Sequence, residues 1–332
     1  MAQSSRFRHE KYMIRWSRGQ LLAAVLFAAV AWMWGGAFVA IEIGLASVPP
    51  FWFAGLRYLL AGTVVSAVAV ATGRFRPEGR DEWLSVGFVG VFIVAGYPGL
   101  LYLGTMSTSG AIAAVVVSLS PVLTTVLASV VLSESFDATD GLGLVFGLAG
   151  VAVIASPGGG GVSLSGVALV FTGVALFAMG SVGLRTLESD LPTAALQGWG
   201  MLLGASLLSI GAILRGEPLP TGITSGSAAG AFAYLVLIAG VLGYLTYFEL
   251  LSRIGPVRVN LVAYLEPVTA ALLGWAVLGD APTPTMAAGF LLVFCGFALA
   301  SGFDPLERVR DSEDASNRND LVEGRVEVHS AD

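Results

Sequence analysis

Ten apolar stretches of about twenty residues each follow one another along this chain, with only short polar or Gly/Pro breaks between them. They run over 21–42, 51–72, 83–104, 110–132 and 140–156, then 165–185, 194–214, 227–250, 257–279 and 285–303. Nothing else constrains the fold as strongly, because the hydrocarbon core of a bilayer is about 30 Å thick and roughly 20 helical residues cross it. Inside lipid the backbone has no water to bond, so such runs must be helices that satisfy their own N–H and C=O groups. The composition agrees: 12% of the residues are charged, against roughly 25% in a soluble domain, and 43 glycines suit helices that approach closely in lipid. The predicted fold class is an all-α membrane protein with ten transmembrane helices. The first stretch is too long for a signal-peptide core of roughly 7 to 15 residues and is read as a membrane helix.

Several function classes fall away early. His9 and His329 stand near opposite ends and Cys295 is the one cysteine, so neither a disulfide nor a Cys/His metal site can be drawn. A single lysine, Lys11, excludes a Gly-Lys-Ser/Thr phosphate loop, and no basic, aromatic-interleaved surface is offered to nucleic acid. No cofactor is expected. Of the formal charge of -6, the segment from Asp304 onward supplies -5, with nine acids against four arginines. That acidic tail, with almost no aromatic content, is expected to be disordered. An intramembrane enzyme would need clustered polar groups such as paired aspartates, and the spans hold almost none, so the chain is not read as an enzyme.

Basic residues set the orientation. Arg6, Arg8, Lys11, Arg15 and Arg18 precede the first stretch, Arg74, Arg76 and Arg80 follow the second, Arg185 ends the sixth, and Arg253 and Arg258 flank the eighth break. On a ten-helix path all of these lie on one side, and the other side receives Arg215. Positively charged loops stay in the cytoplasm. A multi-pass protein of the cytoplasmic membrane with both termini cytoplasmic is therefore expected.

The chain also repeats itself. A shift of 146 lays 109–155 on 255–301 without a gap, matching Pro121 with Pro267, Leu132 with Leu278, Gly143 with Gly289 and Gly150 with Gly296. A shift of 144 aligns Ala95, Gly96, Gly99 and Leu101 with Ala239, Gly240, Gly243 and Leu245, and a shift of 142 aligns Pro50, Leu60 and Gly62 with Pro192, Leu202 and Gly204. The repeating unit is five helices, an odd number, so the second unit enters the membrane from the opposite side. The expected organisation is a basic segment 1–20, a first repeat 21–156, an inverted second repeat 165–303 and the tail 304–332. Two inverted five-helix repeats are the architecture of secondary transporters.

Such proteins bind substrate near the midplane, where interrupted helices expose backbone toward a cavity. Pro121 and Pro267 lie about halfway along equivalent stretches, and each removes a backbone bond, so a helix break is expected at both. Pro98, within Ala95-Gly96-Tyr97-Pro98-Gly99, marks a third. Glu266 is the costliest residue in the chain, since a charge at the bilayer centre costs at least about 2.5 to 3.5 kcal/mol. It is the first candidate to bind substrate or a coupling proton, and its counterpart in the repeat is Ser120, so the cavity would be chemically asymmetric. Helix periodicity places Asn260, Ala263, Tyr264 and Pro267 near the Glu266 side. Asn260 and Tyr264 join Tyr97, Tyr102, Tyr244 and Trp34 as candidate ligand contacts, because rings in a cavity suit flat or amphipathic ligands through stacking and cation–π contacts. For any one ring, packing or interfacial anchoring is the competing role.

Arg57, about two turns into the second stretch, and Glu42, ending the first, are expected to form an ion pair that locks the two helices or serves as a gate. Glu249 has Arg253 at i+4, a structural pair. Thr139 and Thr285 look like caps of the stretches that follow Glu134 and Asp280. The paired glycines Gly143/Gly150 and Gly289/Gly296 mark small-residue faces that serve packing within one chain or a homodimer contact.

The residues also resemble a known family. The run from Trp34 through Gly35, Gly36, Ala37, Phe38, Val39 and Ala40 to Ile41 is similar to its helix-one pattern, and Ala54-Gly55-Leu56-Arg57-Tyr58 to its Ala-x-Leu-Arg-Phe segment. Ser120-Pro121-Val122 leading to Glu134, and Glu266-Pro267-Val268 leading to Asp280, resemble the Pro-Val to Gly-Glu stretch that closes each EamA unit. The chain thus resembles an EamA-type member of the drug/metabolite transporter superfamily over 21–303. The resemblance implies a ten-helix permease with a central cavity, moving small metabolites such as amino acids by alternating access, often outward. The family usually has Glu where Asp280 stands and often a basic or neutral residue in place of Glu42. A nucleotide-sugar or sugar-phosphate carrier of the same superfamily is the alternative, though anionic ligands call for several cavity Lys or Arg residues and Arg57 alone lies within a span. A membrane channel, which needs rings of charge or filter carbonyls, stands behind both.

Overall fold

The computed structural model describes residues 18–73, 75–134, 138–154, 163–221, 223, 226–259 and 262–300. Asn260, the basic segment as far as residue 17 and the acidic tail lie outside the described residues. Consecutive helical segments share one label here. The helices are α1 (Arg18–Leu45), α2 (Pro50–Thr72), α3 (Arg80–Thr105), α4 (Gly110–Val131), α5 (Ala138–Ile154), α6 (Leu164–Leu184), α7 (Thr193–Leu214), α8 (Gly226–Ala233, Tyr234–Leu242 and Gly243–Val259), α9 (Val262–Leu278) and α10 (Pro284–Ala300). Among the described residues seven helices are long and apolar enough to cross a membrane: α1 to α4 and α6 to α8. The apolar helices α5, α9 and α10 are shorter. The molecule is an all-helical, multi-pass membrane protein.

Two helices change pitch at the same place. In α3 the backbone widens into π turns over Phe88–Gly96, and in α8 over Tyr234–Leu242. The second begins 146 residues after the first, as α10 does after α5 and α6 after α1. The register of 146 therefore extends to the third stretch, where glycine and leucine matches alone had suggested 144. Small apolar residues recur too often to fix a register, whereas a backbone widening occurs at one place. The irregularity expected at Pro98 falls in the turns before it, with Pro98 opening the regular segment Tyr97–Thr105. In α4 the helix breaks at Ser118–Leu119, directly ahead of Pro121. By contrast α9 runs unbroken through Pro267. The bond that Pro267 forgoes would have reached Ala263, in the first turn of α9, so less regular helix is lost there.

Close approach of backbones explains the glycines. A Cβ on Gly296 would lie 2.5 Å from the Gly143 carbonyl oxygen, and one on Gly150 2.6 Å from that of Gly289. The two small-residue faces of α5 and α10 thus pack on each other within one chain. Gly35 seats α1 against α9 in the same way, and Thr269 closes that joint by donating from its hydroxyl to the Ala31 carbonyl at 2.8 Å.

The peripheral pair α2 and α7 is pinned at both ends. The Trp199 indole donates to the Phe75 carbonyl at 2.9 Å, and the Trp52 indole to the Glu217 carbonyl at 3.2 Å. The Glu217 carboxylate also accepts from the Phe51 and Trp52 N–H groups at 3.1 and 3.3 Å, satisfying donors that the start of α2 leaves open. Sequence reasoning missed this cap, because Glu217 lies far from α2 in sequence. Thr283 rather than Thr285 caps α10, accepting from Met286 N–H at 3.2 Å.

One end of the bundle carries Arg18, Arg80, Arg185 and Arg253, with an ion pair joining Arg185 of α6 to Glu134 after α4. Toward the other end, where Glu42 stands, the largest buried cluster fills the space between the central helices, with Phe38, Ile41, Phe53, Tyr102, Val116 and Leu235 at its heart. Glu249 and Arg253 pair at 2.7 Å, as the i+4 spacing predicts.

Candidate functional site

Adjoining that cluster is a cavity of about 650 Å³, whose lining runs from Ile41, Arg57 and Tyr102 toward the Glu42 end to Val259 and Val262 toward the other. Seven helices line it. α1 contributes Trp34, Phe38 and Ile41; α2 Arg57 and Tyr58; α3 Tyr97, Pro98 and Tyr102; α4 Ser120, Pro121, Thr124 and Thr125; α6 Phe177 and Ser181; α8 Tyr244 and Tyr247. Glu266 reaches it from α9, on one stripe with Val262 and Ala263, and Val259 joins from the end of α8.

The local architecture places these groups for stated reasons. Within the π turns of α8 the Ala239 carbonyl accepts from the Trp34 indole at 3.1 Å. The Trp34 ring packs against Tyr244 and Tyr247, with centroids 5.5 and 5.1 Å away. Gly243 allows this, since a Cβ there would lie 2.7 Å from the Trp34 indole nitrogen, and Gly36 likewise makes room for the Tyr234 ring, whose hydroxyl donates to the Met33 carbonyl at 3.1 Å. In α4 the break before Pro121 turns Ser120 toward the cavity, while the Thr124 and Thr125 hydroxyls return to the Ser120 and Pro121 carbonyls at 2.7 and 3.1 Å. Such local bonds let hydroxyls sit at membrane depth without a further partner.

Of the sequence candidates, Trp34, Tyr97, Tyr102, Ser120, Tyr244 and Glu266 converge on this cavity, together with Pro98 and Pro121. Tyr264 does not. It is 3% exposed and turns edge-on to Phe294 of α10, and Pro267 likewise faces an apolar crevice beside Phe290. Both lie one stripe round the helix from Ala263 and Glu266, a rotation of about 100° that a grouping of near neighbours overlooks. Tyr58, Phe177 and Ser181 were missed. Tyr58 carried a signal, being adjacent to the intramembrane Arg57, whereas Phe177 and Ser181 had none beyond helical spacing.

Glu42 and Arg57 take different partners. The Arg57 guanidinium donates to the Tyr102 hydroxyl at 3.0 Å and lies 5.1 Å from the Tyr58 ring centroid. Glu42 accepts from the Gly110 N–H at 2.6 Å, capping the start of α4, with the Asp280 carboxyl beside it. The expected ion pair between them is replaced by these contacts, because α2 turns Arg57 inward to the cavity while Glu42 stays at the rim. Glu42→Gln and Arg57→Gln should therefore lower thermal stability additively to within about 0.5 kcal/mol. A double variant more stable than that sum would restore the pair.

Comparison with known proteins places the chain. The model of the EamA-like transporter family matches it twice, over residues 21–156 and 164–302. The uncharacterized inner membrane transporter YedA of Escherichia coli strain K12 is 31% identical over 262 residues, covering 78% of this chain and 83% of that one. The uncharacterized transporter YyaM of Bacillus subtilis is 26% identical over 270 residues, covering 79% and 88%. A solved crystal structure shares the fold, with a TM-score of 0.59 at 24% identity, covering 84% of this chain and 96% of that one.

Proposed function

The chain belongs to the EamA-like transporter family, and from that premise we propose a secondary transporter that carries small organic metabolites, amino acids among them, across the cytoplasmic membrane by alternating access. In this reading residues 21–156 and 165–303 are two inverted five-helix repeats, and α5, α9 and α10 complete a ten-helix path. The two family-model matches and the common offset of 146 support it. In the same reading the arginine-rich end is cytoplasmic, both termini with it, the cavity opens toward it, and the apolar cluster around Phe53 closes the outer side.

The observation that carries the reading is a carboxylate, Glu266, at mid-depth in a cavity walled by aromatic rings. A charge there is retained only at a cost. Glu266 binds the cationic group of the solute or carries a coupling proton, and Trp34, Tyr97, Tyr102, Tyr244 and Ser120 shape the space around the solute. The break ahead of Pro121 and the π turns ahead of Pro98 place flexible points in α4 and α3, and Glu42 latches the outer end through Gly110. A nucleotide-sugar carrier fits less well, since Arg57 is the one basic residue among those that line the cavity.

The test is the thermal stability of detergent-purified protein against amino acids, sugars, nucleotides and amphipathic cations. A true substrate at 100 times its dissociation constant should stabilise by about 2.7 kcal/mol, and the shift should vanish in Glu266→Gln. A shift for nucleotides or sugars alone would overturn the amino-acid assignment.

A further inference from the structure

Tyr102 belongs at once to the apolar cluster and to the cavity wall. Its side chain is fully buried, with the ring against Phe53 at 5.9 Å between centroids and the hydroxyl accepting from the Arg57 guanidinium at 3.0 Å. Phe53 and Arg57 stand four residues apart on α2, one above the other on the same face. α2 therefore grips Tyr102 of α3 twice, at the ring and at the hydroxyl. Phe53 is equally buried. Gly44 of α1 receives its edge, since a Cβ there would lie 2.1 Å from the ring, and Phe232 of α8 packs on it at 6.0 Å between centroids. Helices α1, α2, α3 and α8 thus close on one ring. Among the described residues no carboxylate pairs with Arg57, so parting it from the hydroxyl leaves a buried charge with less to hold it, which is costly. In the repeat proposed above α7 answers to α2, and over Thr193–Leu214 it carries no charged side chain. The opposite closure has no such bond.

We propose that the bond from Arg57 to the Tyr102 hydroxyl is the clasp of the outer closure, and that Phe53 is the seal it keeps in place. This rests on the transport reading above and adds how one state of the cycle is held shut. To open outward, α2 and α3 separate at this ring, Phe53 leaves its seat on Gly44, and the bond breaks. Arg57 and Tyr102 are positioning residues in this step, setting which side is shut. The ring packing alone resists opening in proportion to the apolar area it buries, whereas a bond from a charged donor adds a directional hold about twice that of a neutral one. The guanidinium lines the cavity, so the closure is held from the cavity side of the seal and not from the outer rim.

The experiment is side-specific labelling of the full chain in membranes. Cys295→Ser removes the native thiol and Ser120→Cys places one in the cavity wall. A membrane-impermeant maleimide is applied at one fixed pH to right-side-out and to inside-out vesicles. This parent should label from the cytoplasmic side, and at least about tenfold more slowly from outside. Tyr102→Phe keeps the ring and loses the hydroxyl, and it should speed outer labelling at least about tenfold. Arg57→Gln should do the same, and the two together no more than either alone, because both remove one bond. Phe53→Ala should also speed outer labelling, by opening the seal itself. If Tyr102→Phe or Phe53→Ala leaves outer labelling at the parent rate, or if the effects of Tyr102→Phe and Arg57→Gln multiply, the inference falls and the transporter stands. Equal labelling of the parent from both sides, or from neither, would overturn the alternating-access reading with it.

Discussion

Glu266→Gln is expected to abolish concentrative transport while the protein stays folded and extractable in detergent. Gln keeps the volume and the hydrogen-bonding oxygen of Glu but can neither ionise nor carry a proton. It also removes the cost of a charge at mid-depth, at least about 2.5 to 3.5 kcal/mol on insertion scales, so the variant should be as stable as the parent or more so. The two effects run in opposite directions, which separates a functional carboxylate from a structural one. Measured together in proteoliposomes and by thermal unfolding, lost uptake with a raised or unchanged Tm supports the role. Retained uptake against a gradient would remove Glu266 from the mechanism. A lowered Tm would mark it as a structural hydrogen-bonding group.

Gly35→Leu should cost the fold itself. A Cβ at this position would lie 2.8 Å from the Thr269 Cβ and 2.9 Å from the Glu266 carbonyl oxygen, and the second of these is backbone that cannot rotate away. Overpacking in a core costs about 1 to 3 kcal/mol where side chains can adjust. Here α1 must move off α9, which breaks the bond from Thr269 to the Ala31 carbonyl and displaces the turn bearing Glu266. Little folded protein should survive extraction. Gly274→Ala provides the control, since a Cβ there meets nothing within 4 Å, and it should leave yield unchanged or raise it by restoring helix propensity. Equal yields of the two variants would contradict the tight seat of α1.

These two residues also show what was legible before any coordinates. Glu266 declared itself because charge at membrane depth is rare and expensive, a signal that depends on one residue and its position in an apolar run. Trp34, Tyr97, Tyr102 and Tyr244 followed from helix depth. Arg57 was conspicuous for the same reason as Glu266, but its partner was not readable. Glu42 was the nearby acid in sequence, whereas the Tyr102 hydroxyl comes from α3, 45 positions away. Tyr264 failed through rotation: depth was right and azimuth was not, and one residue of helix turns a side chain by about 100°. The pairing of the α5 and α10 glycine faces was visible as two stripes. That they meet each other, and not another copy, depends on which helices neighbour in space. The π turns of α3 and α8 left no residue-level mark, since widening a helix by one residue per turn requires no particular side chain.

The latch between Glu42 and the Gly110 N–H makes the two ends of the molecule unequal. In the register of 146 residues Glu42 corresponds to Glu188 and Gly110 to Pro256, and a proline has no N–H to offer. The opposite end therefore lacks the matching bond, and in the inverted-repeat cycle proposed above an exchange of roles between the halves trades it for nothing equivalent. A hydrogen bond to a charged group contributes about 1.5 to 3 kcal/mol, which skews a two-state population by about ten- to a hundredfold. In the alternating-access cycle proposed above, the empty carrier then rests with its cavity toward the cytoplasm, and the rate at which it resets, more than its affinity for solute, governs which way net flux runs under a small gradient.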